Sequence, residues 1–260
     1  KIDFIFQKMN DVAIIGDTGF ISSHLKEKLR NNFNYNSKNI NLYDSKIYKK
    51  LDSKIRKVVF LAGDPRIYYY ENRPEECFRN NHDLIKNIIK MEIEHFIFMS
   101  SVCVYSCPSK FSIDKSLGWN NTSKFYGISK LLAEYDIKRF VKNFTILRLS
   151  TPFGNNMNKG PLFDIIQNRQ SFVHLDSQYS FIHIDDITNA IKHIIENNII
   201  GYYNLTANKS FTIKSIINNK KVEPISDNKI IYDSDNKELV DTGWKPRISV
   251  HEWYHEVVGL

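Results

Sequence analysis

The sequence predicts an α/β fold in which a doubly wound parallel sheet is followed by a small C-terminal lobe. Short apolar runs of strand length alternate with stretches whose apolar residues recur at helical spacing. Right-handed crossovers place helices on both faces of such a sheet. The 260 residues are 42% hydrophobic and 25% charged, and they contain no internal repeat, so the composition is that of a globular protein.

The strands are predicted from short apolar runs in the first half of the chain. The first run covers residues 11–15 and ends at a glycine, as expected of a buried strand that leads into a tight turn. Further strands are predicted at residues 39–43, 57–62, 95–100 and 144–149. Because parallel strands need crossover connections, a helix is expected between successive strands.

The helices are predicted from apolar residues three or four positions apart. Residues 20–31 have Ile21, Leu25 and Leu29 on one face, and Pro74 suits the first turn of a helix over residues 74–91. A long helix is predicted at 123–141, and shorter ones at 161–168, 185–197 and 250–258. We therefore expect a main domain over residues 1–150, and a lobe over residues 151–260 with segments that return to the main domain.

The charge balance narrows the class of partner. A net charge of +7, from 36 basic and 29 acidic side chains, suits a nucleic acid, an acidic membrane or a phosphorylated small molecule. The basic residues are scattered and no apolar run approaches the roughly 18 residues of a membrane span, so we expect neither nucleic acid nor membrane. Three cysteines and the absence of a signal-peptide pattern in residues 1–8 predict a cytoplasmic location.

A glycine-rich turn joins the first strand to the first helix. Residues 16–22 read Gly-Asp-Thr-Gly-Phe-Ile-Ser, and glycines there let a diphosphate approach the backbone at a helix N-terminus. The third position is Ser22, which is small enough for close packing of helix on strand. The segment predicts a dinucleotide site, and its cofactor-contacting residues are Gly16, Thr18, Gly19, Phe20 and Ile21.

Asp44 is expected at the end of the second strand, where a carboxylate hydrogen-bonds the adenosine ribose and disfavours a 2′-phosphate. This position favours NAD over NADP. Three lysines follow closely and are able to neutralise a 2′-phosphate, so both cofactors stay open: Lys46, Lys49 and Lys50. An exposed turn carboxylate without a binding role is the alternative interpretation of Asp44.

Tyr126 and Lys130 lie four residues apart on the predicted helix 123–141, so their side chains share one face. An ammonium group beside a phenol lowers the phenol pKa and suits it to proton transfer. By itself such a pair is common on protein surfaces. However, Ser100 and Ser101 close the preceding strand, and a strand C-terminus is where ligands bind in this class of sheet.

Taken together, these motifs resemble those of extended short-chain dehydrogenases/reductases in the nucleotide-sugar epimerase/dehydratase family, which have a Rossmann-type fold. The similarity extends over nearly the whole chain, in family order. Its segments are Gly16–Ile21 (GDTGFI), Phe60–Gly63 (FLAG), Ser100–Tyr105 (SSVCVY), Tyr126–Lys130 (YGISK), Ile146–Arg148 (ILR), Phe181–Asp186 (FIHIDD), Tyr203–Leu205 (YNL) and Gly243–Pro246 (GWKP).

The resemblance implies a role for each matching residue. Ser101 hydrogen-bonds the reacting sugar oxygen, Tyr126 exchanges the proton, and Lys130 holds the nicotinamide ribose and tunes the tyrosine. A hydride passes between the nicotinamide and the sugar carbon. The cofactor site then also includes Leu61, Ala62, Gly63, Tyr126 and Lys130, and the substrate, a nucleotide-diphosphate sugar, contacts Ser101, Cys103, Tyr126 and Thr151.

Positions at which this sequence departs from the family pattern distinguish between the reaction types known in the family. Val102 and Cys103 stand where sugar 4,6-dehydratases have an Asp-Glu pair, which disfavours a dehydratase. Enzymes of the fucose-synthase type pair a cysteine at position 103 with a histidine from the next loop, but residues 154–160 contain none. Cys103 is thus half of an epimerisation pair or a small buried thiol. Tyr179 replaces an arginine near the substrate diphosphate, leaving Arg148, Arg169 or a lysine for that role.

The resulting hypothesis is an NAD(P)H-dependent enzyme that reduces a 4-keto nucleotide sugar for glycan biosynthesis. The alternatives are a nucleotide-sugar epimerase, including an epimerase/reductase that uses Cys103, and a non-catalytic dinucleotide-binding redox sensor. His251 and His255 match a His-Glu-x-x-His zinc signature, yet we expect an ordinary helix there and no metal. A homodimer is expected from the resemblance alone.

Overall fold

A six-stranded parallel sheet forms the centre of the protein. The computed structural model describes residues 11–30, 32–106, 110–111, 117, 124–171, 173–217, 222–224, 227 and 229–259. In chain order the strands are β1 (Val12–Ile15), β2 (Phe33–Tyr35), β3 (Lys57–Phe60), β4 (His95–Ser101), β5 (Lys110–Phe111), β6 (Phe144–Leu149), β7 (Thr151–Phe153), β8 (Gln178–His183), β9 (Gly201–Leu205), β10 (Ser210–Thr212) and β11 (Ile231–Ser234). The central sheet has the order β2-β1-β3-β4-β6-β9.

The register of this sheet brings three strand ends to one place. Ile15 of β1 pairs with Tyr35 of β2 on one side and with Phe60 of β3 on the other, and all three strands are parallel. After β1 the chain adds β2 on one side and then crosses to the opposite side for β3. Such a reversal opens a crevice at the carboxyl ends of the strands, which is where ligands bind in doubly wound sheets.

Helices cover both faces of the central sheet. In chain order the helices of the protein are α1 (Phe20–Lys28), α2 (Pro74–Asn81), α3 (Lys124–Phe140), α4 (Pro161–Ile166), α5 (Ile184–Asn197), α6 (Ile213–Ile216), α7 (Lys237–Val240) and α8 (Val250–Val258), of which α4, α6 and α8 pack in the core of the C-terminal part. Leu25 of α1 and Ile191 of α5 belong to the core on one face, and Ala133 and Ile137 of α3 belong to the core on the other. Among the described residues, no helix combines the length and apolar character needed to span a membrane.

A second, smaller sheet lies in the C-terminal part of the chain. It has the order β10-β8-β11-β5, with β7 also paired to β8, and it is mixed because only the β8–β10 pairing is antiparallel. Its core is rich in aromatic side chains, among them Phe153, Phe181 and Trp253. The predicted α/β class with a parallel Rossmann-type sheet and a small C-terminal lobe is confirmed. From the second half of the chain, β9 belongs to the central sheet and α5 packs in its core; the division of the chain into two domains at residue 150 stays a prediction.

Two predicted elements differ from the structure. The strand at residues 39–43 is wrong: the chain there forms turns, and Phe33–Tyr35 pairs with β1 instead. Ile40 is buried, so its apolar character reflects packing of a loop and not membership of the sheet. The helix predicted at 74–91 ends at Asn81 and continues as a 3-10 turn, Asp83–Ile85. Residues 1–8, for which we expect no signal peptide, lie outside the described residues.

Candidate functional site

The glycine turn and the end of β3 form the first wall of the crevice. Gly16 has a φ of +92°, and a Cβ there would lie 2.5 Å from the Ala62 backbone nitrogen, so glycine alone permits this packing. A Cβ on Gly19, which precedes α1, would meet no atom closer than 3.5 Å. No side chain caps α1 and its first turn has no acidic residue. This open helix start is the cradle that a dinucleotide diphosphate requires.

The remaining residues of the predicted cofactor site lie around the same crevice. Thr18 is exposed, while Phe20, Ile21 and Leu61 are partly buried. Gly63, with a φ of +148°, lies next to the predicted catalytic lysine, since a Cβ on Gly63 would be 3.3 Å from the Lys130 Nζ atom. The segment after β3 therefore lies between the glycine turn and α3. A cofactor that contacts both of these elements would need the segment in this position.

Ser101 and Tyr126 meet at the carboxyl end of β4. The backbone N–H of Cys103 donates to the Ser101 Oγ atom over 3.2 Å, and the Tyr126 hydroxyl lies close enough to the Ser101 side chain for the serine to affect its pKa. Gly127 allows this meeting, because a Cβ at that position would collide with the Cys103 carbonyl oxygen. The serine and the tyrosine predicted from the sequence are thus adjacent, and close packing of α3 on the turn Val102–Val104 holds them there.

Lys130 extends from α3 to the end of β4. Its Nζ atom donates to the Met99 carbonyl oxygen over 3.1 Å and lies 4.8 Å from the centre of the Phe98 ring. The same atom is 6.0 Å from the centre of the Tyr126 ring. Burial disfavours the ammonium form and lowers the pKa of Lys130 to about 8, although Glu134 acts in the opposite direction.

The pKa of Tyr126 differs from the sequence-based expectation. Burial raises the pKa of its hydroxyl well above the ordinary value, and the neighbouring Cys103 and Cys77 thiols add to that rise. The predicted lowering by the Lys130 ammonium is therefore wrong for the protein without ligands, because loss of hydration dominates. A phenol in this environment keeps its proton at neutral pH, which is the state that a proton donor requires.

The lowered pKa of Lys130 gives stability a pH dependence. Between about pH 8 and 10.5 the unfolded lysine retains a proton that the folded one has released, so the unfolded state binds more protons and stability rises with pH. We expect the unfolding free energy of wild type, relative to Lys130→Met, to increase across this window by about 1.4 kcal/mol for each unit separating the two pKa values. Urea unfolding at a series of pH values measures this difference, and a constant difference would contradict the assignment.

A buried ion pair lies beneath the serine and was not anticipated from the sequence. Glu134 on α3 receives two hydrogen bonds from Arg148 on β6, at 2.8 Å and 3.2 Å, and a third from the Ser100 hydroxyl at 2.5 Å. Arg148 also donates to the Tyr105 hydroxyl at 3.2 Å, which in turn donates to the Asn204 amide oxygen at 2.7 Å. With 2% of its surface exposed, Arg148 is not available for a substrate diphosphate.

The other candidates for substrate contact have different surroundings. Cys103 is buried, and Thr151 is partly buried at the start of β7. The Arg169 guanidinium lies over the Phe163 ring at 5.2 Å. Lys159 is exposed on the loop after β7. It lies close enough to Asp64 and Arg66, which follow β3, for their charges to affect its pKa. Asp64 and Arg66 form an ion pair with each other, and Lys159 lies near that pair.

Asp44 is not where the sequence predicts it. With β2 at Phe33–Tyr35, the residue after the strand is Asn36, and Asp44 lies eight residues further along in a turn. Its carboxylate accepts from the Lys46 backbone N–H at 2.9 Å and pairs with the Lys50 ammonium at 3.0 Å, and these contacts lower its pKa. Asp44 was expected to bind the ribose because it was predicted at the end of the second strand, and that predicted position is wrong.

His183, within the matched segment Phe181–Asp186, and His251, from the zinc-like signature, both have structural contacts. His183 Nδ1 accepts from the Asp185 backbone N–H at 3.1 Å and so caps α5. His251 packs edge-on against Phe211, with ring centres 4.4 Å apart, and α8 is an ordinary helix that also buries Trp253. Within the described parts of the chain, no three His, Cys, Asp or Glu side chains are close enough together to hold a metal ion.

Comparison with known proteins identifies relatives of this arrangement. A family model described as the NAD-dependent epimerase/dehydratase family matches residues 12–205. UDP-glucose 4-epimerase of Pasteurella multocida (strain Pm70) is 29% identical over 124 residues, which cover 44% of this chain and 37% of that enzyme. The chain thus spans well under half the length of this curated relative.

Solved structures with the same fold include two bound to nicotinamide cofactors. MoeE5 in complex with UDP-glucose and NAD has a TM-score of 0.79 at 18% identity, over 96% of this chain and 97% of that one. The dTDP-4-dehydrorhamnose reductase of Bacillus anthracis str. Ames, in complex with NADP, has a TM-score of 0.77 at 17% identity, over 95% and 96% of the two chains. At such identities these similarities establish the fold alone.

Proposed function

Because the chain belongs to the NAD-dependent epimerase/dehydratase family, we propose that it uses a reduced nicotinamide dinucleotide to convert a 4-keto nucleotide sugar into the hydroxy sugar, for glycan biosynthesis. The observation that carries this proposal is the position of the Tyr126 hydroxyl: it is buried at the carboxyl end of β4, close to the Ser101 side chain. A protonated phenol beside a serine hydroxyl suits donation to a carbonyl oxygen that becomes an alcohol.

The crevice fits the dinucleotide that this reaction needs. The open start of α1 would receive the diphosphate on residues 16–21, and Leu61, Ala62 and Gly63 would contact the part between the diphosphate and Lys130. Lys130 and Tyr126 would hold the nicotinamide ribose. When bound, the dinucleotide supplies the hydride; the protein determines orientation, charge and the position of the proton.

The proposed proton transfer uses the geometry of three side chains. As the sugar carbonyl is reduced, Tyr126 donates its hydroxyl proton to the O4 atom, and Ser101 donates a hydrogen bond to the same oxygen. The Lys130 ammonium, 6.0 Å from the Tyr126 ring centre, stabilises the tyrosinate that remains. Since this ammonium is buried, its charge acts in a medium of low dielectric and has a larger effect than it would in water.

An epimerase is the second candidate, and the curated relatives favour it because they are UDP-glucose 4-epimerases. Cys103 supports an epimerase/reductase, since its thiol is buried close enough to Tyr126 to affect the tyrosine pKa. Against the epimerase/reductase, residues 154–160 supply no histidine to pair with this cysteine. A non-catalytic redox sensor would not need Ser101, Tyr126 and Lys130 together.

Substrate contacts and assembly belong to the same proposal. The sugar nucleotide would contact Ser101, Cys103, Tyr126 and Thr151, and the exposed Lys159, which lies near the Asp64–Arg66 ion pair, would receive its diphosphate. A homodimer is proposed on the resemblance and on two exposed apolar side chains of α3, Leu132 and Tyr135. A cytoplasmic location stays a prediction.

A panel of 4-keto nucleotide sugars, incubated with NADH or NADPH, tests the proposed reaction. We expect one reduced nicotinamide to be consumed for each product formed, with product configuration assigned by NMR. In a parallel incubation of the corresponding C4-hydroxy nucleotide sugars with the oxidised dinucleotide, interconversion of C4 epimers without net change of nicotinamide would instead support the epimerase. Tight dinucleotide binding with no turnover of any sugar in the panel would support the sensor.

A further inference from the structure

The glycine turn contains a buried carboxylate that diphosphate binding does not require. Asp17 is 7% exposed, although it follows directly after Gly16 in the turn. The backbone N–H groups of Gly16 and Asp17 both donate to the Tyr35 carbonyl oxygen, at 2.7 Å and 3.2 Å. These two bonds place Asp17 against the last residue of β2. The carboxylate therefore lies at the end of the second strand, although it comes from the turn after the first.

Asn36 orients this carboxylate. Its side-chain amide donates to Asp17 Oδ1 over 2.6 Å, and its own amide oxygen accepts from the Lys38 backbone N–H over 2.8 Å. An amide carries no charge, so Asn36 orients the carboxylate without neutralising it. The opposing cation is Lys26 on α1, whose Nζ atom is 3.5 Å from Asp17 Oδ2 and whose side chain is 35% exposed, so the pair is weak.

The position of Asp17 corresponds to a known role in dinucleotide sites. When a diphosphate binds at the start of α1, the adenosine ribose lies over the end of β2, and a carboxylate there accepts hydrogen bonds from the ribose hydroxyls. Here the residue after β2 is the amide Asn36, and Asp44 is held in its distant turn by Lys50. A carboxylate accepts about four hydrogen bonds, and the contacts with Asn36 and Lys26 use only part of that capacity.

We propose that Asp17 binds the adenosine ribose hydroxyls and makes the protein selective for NAD(H) over NADP(H). The inference rests on the proposed function, because it assumes a dinucleotide on the glycine turn. A 2′-phosphate at this place would bring a second negative group against a buried carboxylate whose ion-pair partner, Lys26, is partly exposed. Selectivity would thus come from the glycine turn and not from the residue that ends β2.

Equilibrium binding of NADH and NADPH, followed by nicotinamide fluorescence on the full chain without any sugar, tests this inference. Wild type is expected to bind NADH roughly ten- to hundredfold more tightly than NADPH, the range given by a hydrogen bond to a charged group. Asp17→Asn preserves the shape of the side chain and removes its charge, so the preference for NADH should fall to near unity. Asp44→Asn should leave the wild-type ratio unchanged.

A second variant keeps the test decisive if Asp17→Asn fails to fold. Lys26→Met, on the surface of α1, removes the partial counter-charge and should widen the preference for NADH. Wild-type preference for NADPH, through the exposed Ser37 and Lys38, would overturn the inference, and so would loss of selectivity in Asp44→Asn instead of Asp17→Asn. Failure of wild type to bind either dinucleotide would overturn the proposed function itself.

Discussion

Tyr126→Phe is expected to lose roughly 10²–10⁴-fold of the turnover rate while the fold is retained, because it removes the proton donor and leaves the aromatic ring in place. Tyr126 is buried on α3, close to the Ser101 side chain. Dinucleotide affinity should change only by the few-fold that one neutral hydrogen bond contributes. Steady-state turnover and nicotinamide fluorescence measure the two quantities separately.

Tyr203→Phe is a matched control for that variant. The Tyr203 hydroxyl donates to the Ile200 carbonyl oxygen over 2.9 Å, at the end of β9 away from the crevice, so its loss should leave turnover unchanged. Full turnover in Tyr126→Phe would show that another group donates the proton. Loss of dinucleotide binding together with turnover would make Tyr126 primarily a cofactor ligand.

Glu134→Ala is expected to lose about 3–5 kcal/mol of unfolding free energy, because it leaves Arg148 charged and buried without its carboxylate partner. Both side chains of this pair are 2–3% exposed. The midpoint of urea unfolding, measured at constant pH, gives the change. The Ser100 hydroxyl loses an acceptor in the same variant, so part of the effect should extend to the neighbouring Ser101.

An exposed ion pair serves as a comparison for the buried pair of Glu134 and Arg148. Lys237 and Asp241 are 2.9 Å apart on the protein surface, with side chains 77% and 61% exposed. Asp241→Ala should therefore change stability by about 0.2–1 kcal/mol or less. The double variant Glu134→Leu with Arg148→Met removes both buried charges together and should recover much of the loss. Equal effects of Glu134→Ala and Asp241→Ala would contradict the assigned role of the buried pair.

Much of the fold could be predicted because buried parallel strands leave a strong signal in the sequence. The runs at 95–100 and 144–149 are mostly apolar, and they match β4 and β6 to within a residue. The helix predicted at 123–141 is also observed, as Lys124–Phe140, because its apolar spacing persists over several turns. The C-terminal helix has the predicted bounds, Val250–Val258.

The second strand could not be located in this way. β2 has only three residues, all partly buried, and it lies at the edge of the sheet, so its pattern is short and mixed. Residues 39–43 have a similar pattern, and Ile40 is buried by loop packing without entering the sheet. Pairing with β1 decides between them, and this is a long-range contact. Because the second strand was predicted at residues 39–43, the ribose ligand was expected at Asp44 and not near Asp17.

Residues of the candidate site could be predicted together when they lie on the same helix or strand. Contacts between residues on different elements could not be predicted. Tyr126 and Lys130 are one helical turn apart, and Glu134 is a further turn along the same face, so a carboxylate on that buried face was a readable signal. Its partner Arg148 lies on another strand, and only the folded structure joins them. Burial likewise reversed the expected direction of the Tyr126 pKa, because desolvation depends on packing that no local pattern encodes.

Deuterium transfer tests the central claim most directly. The protein would be incubated with a 4-keto nucleotide sugar and a nicotinamide dinucleotide that carries deuterium at the transferable position, and the product examined by NMR and mass spectrometry. We predict deuterium at C4 of the hydroxy sugar, with one oxidised nicotinamide formed for each product. A product without deuterium at C4, or one formed without oxidised nicotinamide, would contradict the proposed reduction.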